Sequence, residues 1–168
     1  MNRYMTEVFS LTQANDRQGE IFHRYILNLY RLFDRLTSQF PKILFESCSS
    51  GGARFDPGLL YYAPQVWTSD DSDAIERLKI QYGTSIVYPL STMGCHVSEV
   101  PNQQVSRLTP LETRANVAYF GAFGYELDLS ELTTTELHEV KEQIAFYKRA
   151  RKTFQYGRFT RPVSYTHL

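Results

Sequence analysis

The run Trp67-Thr68-Ser69-Asp70-Asp71 carries a carboxylic acid just after a short apolar segment, and Cys48-Ser49-Ser50-Gly51-Gly52 places a thiol and two glycines just after another. A carboxyl group at such a point can give and take a proton. A thiol can line a polar pocket, and paired glycines let backbone amides come close to a ligand or permit a turn with positive φ. Each has a plainer use. Acids before a helix cap it, but Asp71, Ser72 and Asp73 already stand in line for that duty, which frees Asp70 for chemistry. A free cysteine is commonly a small buried hydrophobe, and Arg54 can orient a pocket carboxylate or simply pair with Asp56. Cys95-His96 invites a metal reading. With only two cysteines, far apart in sequence, the ligand set for zinc is lacking. A Cys48–His96 thiol nucleophile lacks any accompanying acyl-transfer signature.

The elements that must position these groups can be traced along the chain. Ile21, Tyr25, Leu29, Leu32, Phe33 and Leu36 recur at helical spacing, so a helix is expected from Glu20 to Leu36, capped by Asn15 or Asp16 and closed by Pro41. Its apolar stripe is expected to pack as core. Ile43-Leu44-Phe45 reads as a buried strand, Leu59 to Tyr62 as one helical turn, and Gln65-Val66-Trp67 as a second strand. Asp73 and Glu76 form the pattern of a capping box opening a helix that stops at Gly83. Thr84 to Leu90 reads as a third strand and Ala118 to Leu127 as a fourth, with a helix starting at Pro110-Leu111 between them. His96 then falls after the third strand. Thr133 and Glu136 open a final helix lined by Leu137, Val140, Ile144 and Tyr147, with Lys148 to Lys152 as its solvated basic end.

Strand and helix alternate, the mark of βαβ units and a parallel sheet. A (β/α)₈ barrel needs twice as many strands and typically about 250 residues, so the expectation is half of one. A flavodoxin-like sheet is the structural alternative, although no glycine-rich phosphate loop opens a helix.

The chain has 168 residues, 42% hydrophobic and 14% aromatic, which is the composition of a globular protein. Lys+Arg and Asp+Glu balance at 18 each, so nothing in the charge favours nucleic acid. No apolar run is long enough for a membrane span. Two cysteines without a signal-like opening favour a cytoplasmic setting.

The motifs taken together resemble the melibiases, the α-galactosidases of glycoside hydrolase family 36. Those that carry the resemblance are Cys48-Ser49-Ser50-Gly51-Gly52, Arg54-Phe55-Asp56, Trp67-Thr68-Ser69-Asp70, Ile80-Gln81-Tyr82-Gly83-Thr84, Ser91-Thr92-Met93-Gly94, Arg107 and Phe154-Gln155-Tyr156-Gly157. The resemblance implies an α/β fold, a partial (β/α)₈ TIM barrel covering approximately strands 5 to 8 with their helices. Residues 1–159 would form the C-terminal half of that catalytic domain. Residues 160–168, which do not match the family, are expected to be an unrelated tail.

A retaining mechanism is also implied, with Asp70 as acid/base after strand six. Asn2, Cys48, Gly51, Gly52 and Trp67 would shape the sugar site, Trp67 as an apolar wall. The substrates would be α-galactoside oligosaccharides such as melibiose and raffinose, and neither cofactor nor metal is required. Whole family members often assemble as homo-tetramers. The family nucleophile is the Asp of a Lys-Trp-Asp-Met-Asn-Arg run, and this chain opens Met1-Asn2-Arg3. The nucleophile is therefore expected immediately before Met1, and the 168 residues alone are expected to be inactive. The competing readings are a related α-N-acetylgalactosaminidase or transglycosylase, and a non-catalytic sugar-binding or assembly fragment.

Overall fold

The computed structural model describes residues 8–160. Met1-Asn2-Arg3, with the proposed sugar contact Asn2, and all of the expected tail but Thr160 lie outside the described residues. The chain divides into two compact units, one ending at Asp70 and the other beginning at Asp71.

In the first unit a 3-10 turn, Asn15–Arg17, precedes helix α1, Glu20–Gln39. Asn15 and Asp16 sit within that turn and do not cap α1. The cap position belongs to Gly19, which makes no side-chain bond there. The helical period is as expected, with Ile21, Tyr25, Leu29, Phe33 and Leu36 half-buried, whereas Leu32 is 52% exposed. Strand β1 is Glu46–Ser47, not Ile43–Phe45. Ile43 instead closes a turn on Phe40, its N–H donating to the Phe40 carbonyl at 3.0 Å, and Ile43 and Leu44 are exposed. A strand exists only where a partner offers its ladder, and here that partner is β2, Gln65–Val66, parallel to β1 with Ser47 opposite Val66.

Between these strands lie the single turn α2, Ser49–Gly52, and helix α3, Pro57–Tyr62. Asp56 caps α3 by accepting from the Leu59 N–H at 2.9 Å, and Pro57 opens it where no donor is needed. Leu59, Ala63 and Val66 are buried, and Tyr30, Phe33, Phe45 and Tyr62 form an aromatic cluster.

The second unit opens with α4, Ala74–Ser85. The expected strand over Thr84–Leu90 is not formed. The helix runs past Gly83, and the Thr84 and Ser85 hydroxyls donate to the carbonyls of Ile80 and Tyr82 at 2.8 and 2.7 Å. Ile86 and Val87 are exposed, and Leu90–Thr92 is a 3-10 turn. The strand lies further on, as β3, Gly94–Ser98, parallel to β4, Ala122–Glu126. His96 is therefore in the middle of β3 and not after a strand. Ala118, expected to begin a strand, ends helix α5, Leu111–Ala118. Helix α6, Thr134–Tyr156, starts with the full capping box of Thr133 and Glu136.

Met93, Cys95 and Val97 from β3 and its approach meet Leu111, Ala115 and Ala118 of α5, and Val140 and Tyr147 of α6, in one core. Tyr119, Tyr147 and Phe154 stack beside it. Two buried arginines pin the ends of β3. Arg77 of α4 donates to the Gly94 carbonyl at 3.2 Å, and Arg114 of α5 donates to the Ser98 carbonyl. A guanidinium suits this use because its fork stays charged and satisfies buried carbonyls that lack a ladder partner.

Candidate active site

Ligands of parallel α/β sheets gather where the chain leaves the carboxyl ends of the strands. Cys48 directly follows β1, and Trp67 to Asp70 directly follow β2. The two segments meet. The Cys48 Sγ lies 3.9 Å from Asp70 Oδ1 and donates to it. Cys48 is half-buried and Asp70 exposed, so the carboxylate faces outward with a weak thiol donor at its flank.

The geometry that brings them together comes from α2. Ser49, Ser50, Gly51 and Gly52 all have positive φ, at 62, 56, 65 and 86°. The turn closes with helix-type bonds, Gly52 N–H to the Cys48 carbonyl at 2.8 Å and Ala53 N–H to the Ser49 carbonyl at 3.1 Å. It is a turn of left-handed hand, which costs about 1–2 kcal/mol for each residue bearing a Cβ. Two serines adopt it here. Strain of this kind concentrates at functional sites. Gly51 has a second reason to be glycine: a Cβ there would stand 2.7 Å from the Asp70 backbone nitrogen and 2.8 Å from Ser69 Cα. The glycines thus serve a turn that lies directly against the segment bearing Asp70.

The remaining groups of the first unit sort themselves around this turn. Trp67 is half-buried, and its N–H donates to the Ser47 carbonyl at 2.9 Å, extending the pairing of β1 and β2. Arg54 donates to the Tyr25 hydroxyl at 2.9 Å. Asp56, besides capping α3, accepts from the Tyr30 hydroxyl at 2.5 Å. That bond, with burial and the negative charge adding to it, raises the Tyr30 pKa to about 12. A cavity of about 460 Å³ opens beside Cys48, lined also by Tyr25, Leu29, Ser47, Arg54 and Leu59, and Asp70 is not part of its wall.

In the second unit, Cys95 is wholly buried, and burial pushes its thiol up to about 12, so it stays protonated. His96 Nδ1 lies 3.5 Å from Glu126 Oε2 across the β3–β4 pair. Among the described residues no group of three or more His, Cys, Asp or Glu is arranged to hold a metal ion.

The segment following Asp70 holds a network that the sequence only hinted at through Arg107. Asp73 is buried and caps α4, accepting from the N–H groups of Ile75 and Glu76 at 3.1 and 3.0 Å. The reciprocal half of a capping box is replaced: the Asp73 N–H donates to Asp71 Oδ1 at 3.0 Å. Glu76 instead faces Arg107 Nη2 at 3.5 Å, while Arg107 Nη1 pairs with Asp73 Oδ2.

The melibiase family model matches residues 1–157. The chain is 60% identical to α-galactosidase AgaA of Geobacillus stearothermophilus over 164 residues, 98% of this chain and 22% of that protein. It is 51% identical to α-galactosidase Mel36A of Lactobacillus acidophilus over 157 residues, 94% of this chain and 21% of that protein. A crystal structure of an AgaA variant in complex with raffinose matches with a TM-score of 0.92 and 58% identity, covering 100% of this chain and 23% of that one. The α-galactosidase structure from Lactobacillus brevis matches at 0.86 and 59%, covering 93% of this chain and 21% of that one. The chain thus spans about a fifth of the length of the relatives it matches. With its linked motifs in order, a family model over nearly its whole length and majority identity to AgaA, this α/β chain belongs to the melibiases, the α-galactosidases of glycoside hydrolase family 36.

Proposed function

We propose that this chain supplies the acid/base side of the active site of a retaining α-galactosidase, with Asp70 as the general acid/base. The observation that carries the reading is the convergence of Cys48, Gly51 and Asp70 where the chain leaves two adjacent parallel strands. A retaining glycosidase uses two carboxyl groups about 5–5.5 Å apart. One attacks the anomeric carbon. The other protonates the departing glycosidic oxygen, then takes a proton from the water that releases the sugar. Asp70, exposed and held by its backbone neighbours, is suited to the second part. Within the whole enzyme a second carboxylate would make the attack, facing Asp70 across the bound sugar.

The substrates would be terminal α-galactosides such as melibiose and raffinose, in keeping with the raffinose bound by the AgaA variant. Cys48, Asn2, Trp67 and the Gly51-Gly52 turn would shape the galactose pocket. The two parallel strand pairs would be strands five to eight of a (β/α)₈ barrel, with residues 1–159 its C-terminal half and 160–168 outside it. A cytoplasmic setting and a homo-tetrameric whole enzyme complete the reading, the first in keeping with two free thiols.

The test is Asp70→Asn in the whole enzyme. General acid–base catalysis contributes about 10²–10⁴-fold, and kcat/KM on raffinose should fall by that order. An aryl α-galactoside whose leaving group needs no proton should keep most of its kcat/KM, and azide should accelerate its turnover by replacing water. Equal losses on both substrates would remove Asp70 from the role.

A further inference from the structure

We propose that Arg107 is a positioning residue for Asp70, acting through the three residues that follow it. The inference rests on Asp70 being the acid/base. Asp70 is joined to Asp71 by one peptide bond, so whatever fixes Asp71 to Asp73 fixes the exit of the chain that carries the catalytic carboxyl. All three residues are gripped. The Asp71 carboxylate accepts from the Asp73 N–H at 3.0 Å. The Ser72 carbonyl accepts from the Ser98 hydroxyl, at the end of β3, at 2.9 Å. The Ser72 hydroxyl receives Asn102 Nδ2 at 3.2 Å and donates to Gln104 Oε1 at 3.3 Å. Asp73, 1% exposed, is paired with Arg107.

Most of these partners come from the loop after β3, residues 99–107, and its shape depends on Asn102 and Arg107 together. Asn102 is buried. Its side-chain oxygen accepts from the N–H groups of Gln104 and Val105 at 3.0 and 3.1 Å, and its own N–H donates to the Arg107 carbonyl at 3.0 Å. The loop is thereby closed on itself and presents the Arg107 guanidinium to Asp73 and, at 3.5 Å, to Glu76.

Without Arg107 the buried Asp73 carboxylate would face the interior with its counter-charge gone, a strongly unfavourable state that the chain escapes only by shifting. A shift there is passed along the backbone to Asp70. Displacement of a reacting group by about 1 Å can cost on the order of 10²-fold in rate. A surface ion pair of no consequence would behave differently, because nothing buried would depend on it.

The discriminating property is leaving-group dependence, measured in the whole enzyme with Arg107→Ala, Arg107→Lys and Asn102→Ala beside Asp70→Asn. A misplaced acid/base should lower kcat/KM on raffinose by about 10–100-fold while an aryl α-galactoside with a good leaving group loses only a few-fold. Arg107→Lys, which keeps the charge but not the fork, should recover part of the loss. Should Arg107→Ala fail to fold, Arg107→Lys and Asn102→Ala give the same reading in milder form. Equal losses on the two substrates, or a lower melting temperature with unchanged kinetics, would overturn the inference. If Asp70→Asn shows the leaving-group dependence and the Arg107 and Asn102 variants do not, this inference alone falls. If Asp70→Asn shows none, the acid/base reading falls and takes this one with it.

Discussion

The unit that ends at Asp70 and the unit that begins at Asp71 are built to different standards of self-sufficiency. The first pairs two residues against two in its sheet, and none of its α1 side chains is fully buried among the described residues. It shows Ile43 and Leu44 to solvent, and a mirror-handed turn holds its catalytic candidate in place. The second pairs five residues against five, closes a core over Met93, Cys95 and Val97, and stacks aromatic rings beside it. The proposed chemistry sits in the part that keeps little of its own apolar surface dry. A chain that is a fifth of its relatives' length leaves room for that cover to come from elsewhere in the whole protein. The general lesson is an old trade: residues placed for reaction are paid for by stability gathered in neighbouring structure.

If the contrast is one of burial, core truncation should expose it most sharply. Met93→Ala, at a wholly buried site, should cost about 2–5 kcal/mol, whereas Leu32→Ala on α1 should stay within about 0.5 kcal/mol. Urea unfolding of each variant measures both, and comparable costs would erase the distinction. A smaller effect separates two glycines. Gly51→Ala must displace the backbone of Ser69 and Asp70 and adopt a left-handed φ, so it should cost at least about 1 kcal/mol and reduce turnover in the whole enzyme. Gly83→Ala, in a helix with open space around it, should stabilise by about 0.5–1 kcal/mol and leave turnover alone.

The smallest expected effect is alkaline and confined to the first unit. Tyr30 holds its proton more tightly folded than unfolded, at about 12 against 10.0, chiefly because it donates to Asp56. Its stabilising contribution is therefore whole below pH 10 and disappears as pH rises through about 12. Thermal midpoints of the parent and Tyr30→Phe should converge over that window. A gap that stays constant would show that Tyr30 contributes by packing alone.

Helices with complete local signals were legible in the residues themselves. The Thr133 and Glu136 capping box and the period through Leu137 to Tyr147 needed no tertiary help. Strands were harder to read. Thr84 to Val87 is β-branched and apolar, yet the helix before it continues, because each further turn gains a backbone bond at little added cost. Ile43 to Phe45 has the composition of a strand, but pairing depends on a partner strand that local sequence does not specify. At the site, Gly51 and Gly52 announced a turn of unusual φ, whereas Ser49 and Ser50 gave no sign of sharing it. The approach of Cys48 to Asp70 came from family likeness and not from spacing. Arg77 and Arg114 carried no signal in the sequence that they would be buried, since the carbonyls they serve are brought to them only by the fold.

Trp67 is the single tryptophan of the chain, and it lies between β2 and Asp70. Its selectively excited fluorescence therefore watches one place, the strand end beside the proposed acid/base. Far-ultraviolet circular dichroism, by contrast, sums the helices of both units, with α1 in the first and α6 in the second the longest. One optical signal is local and the other global, and neither needs a label. Should heating or denaturant separate them, the indole transition would come first, and the strand end would be seen loosening while the helices still held.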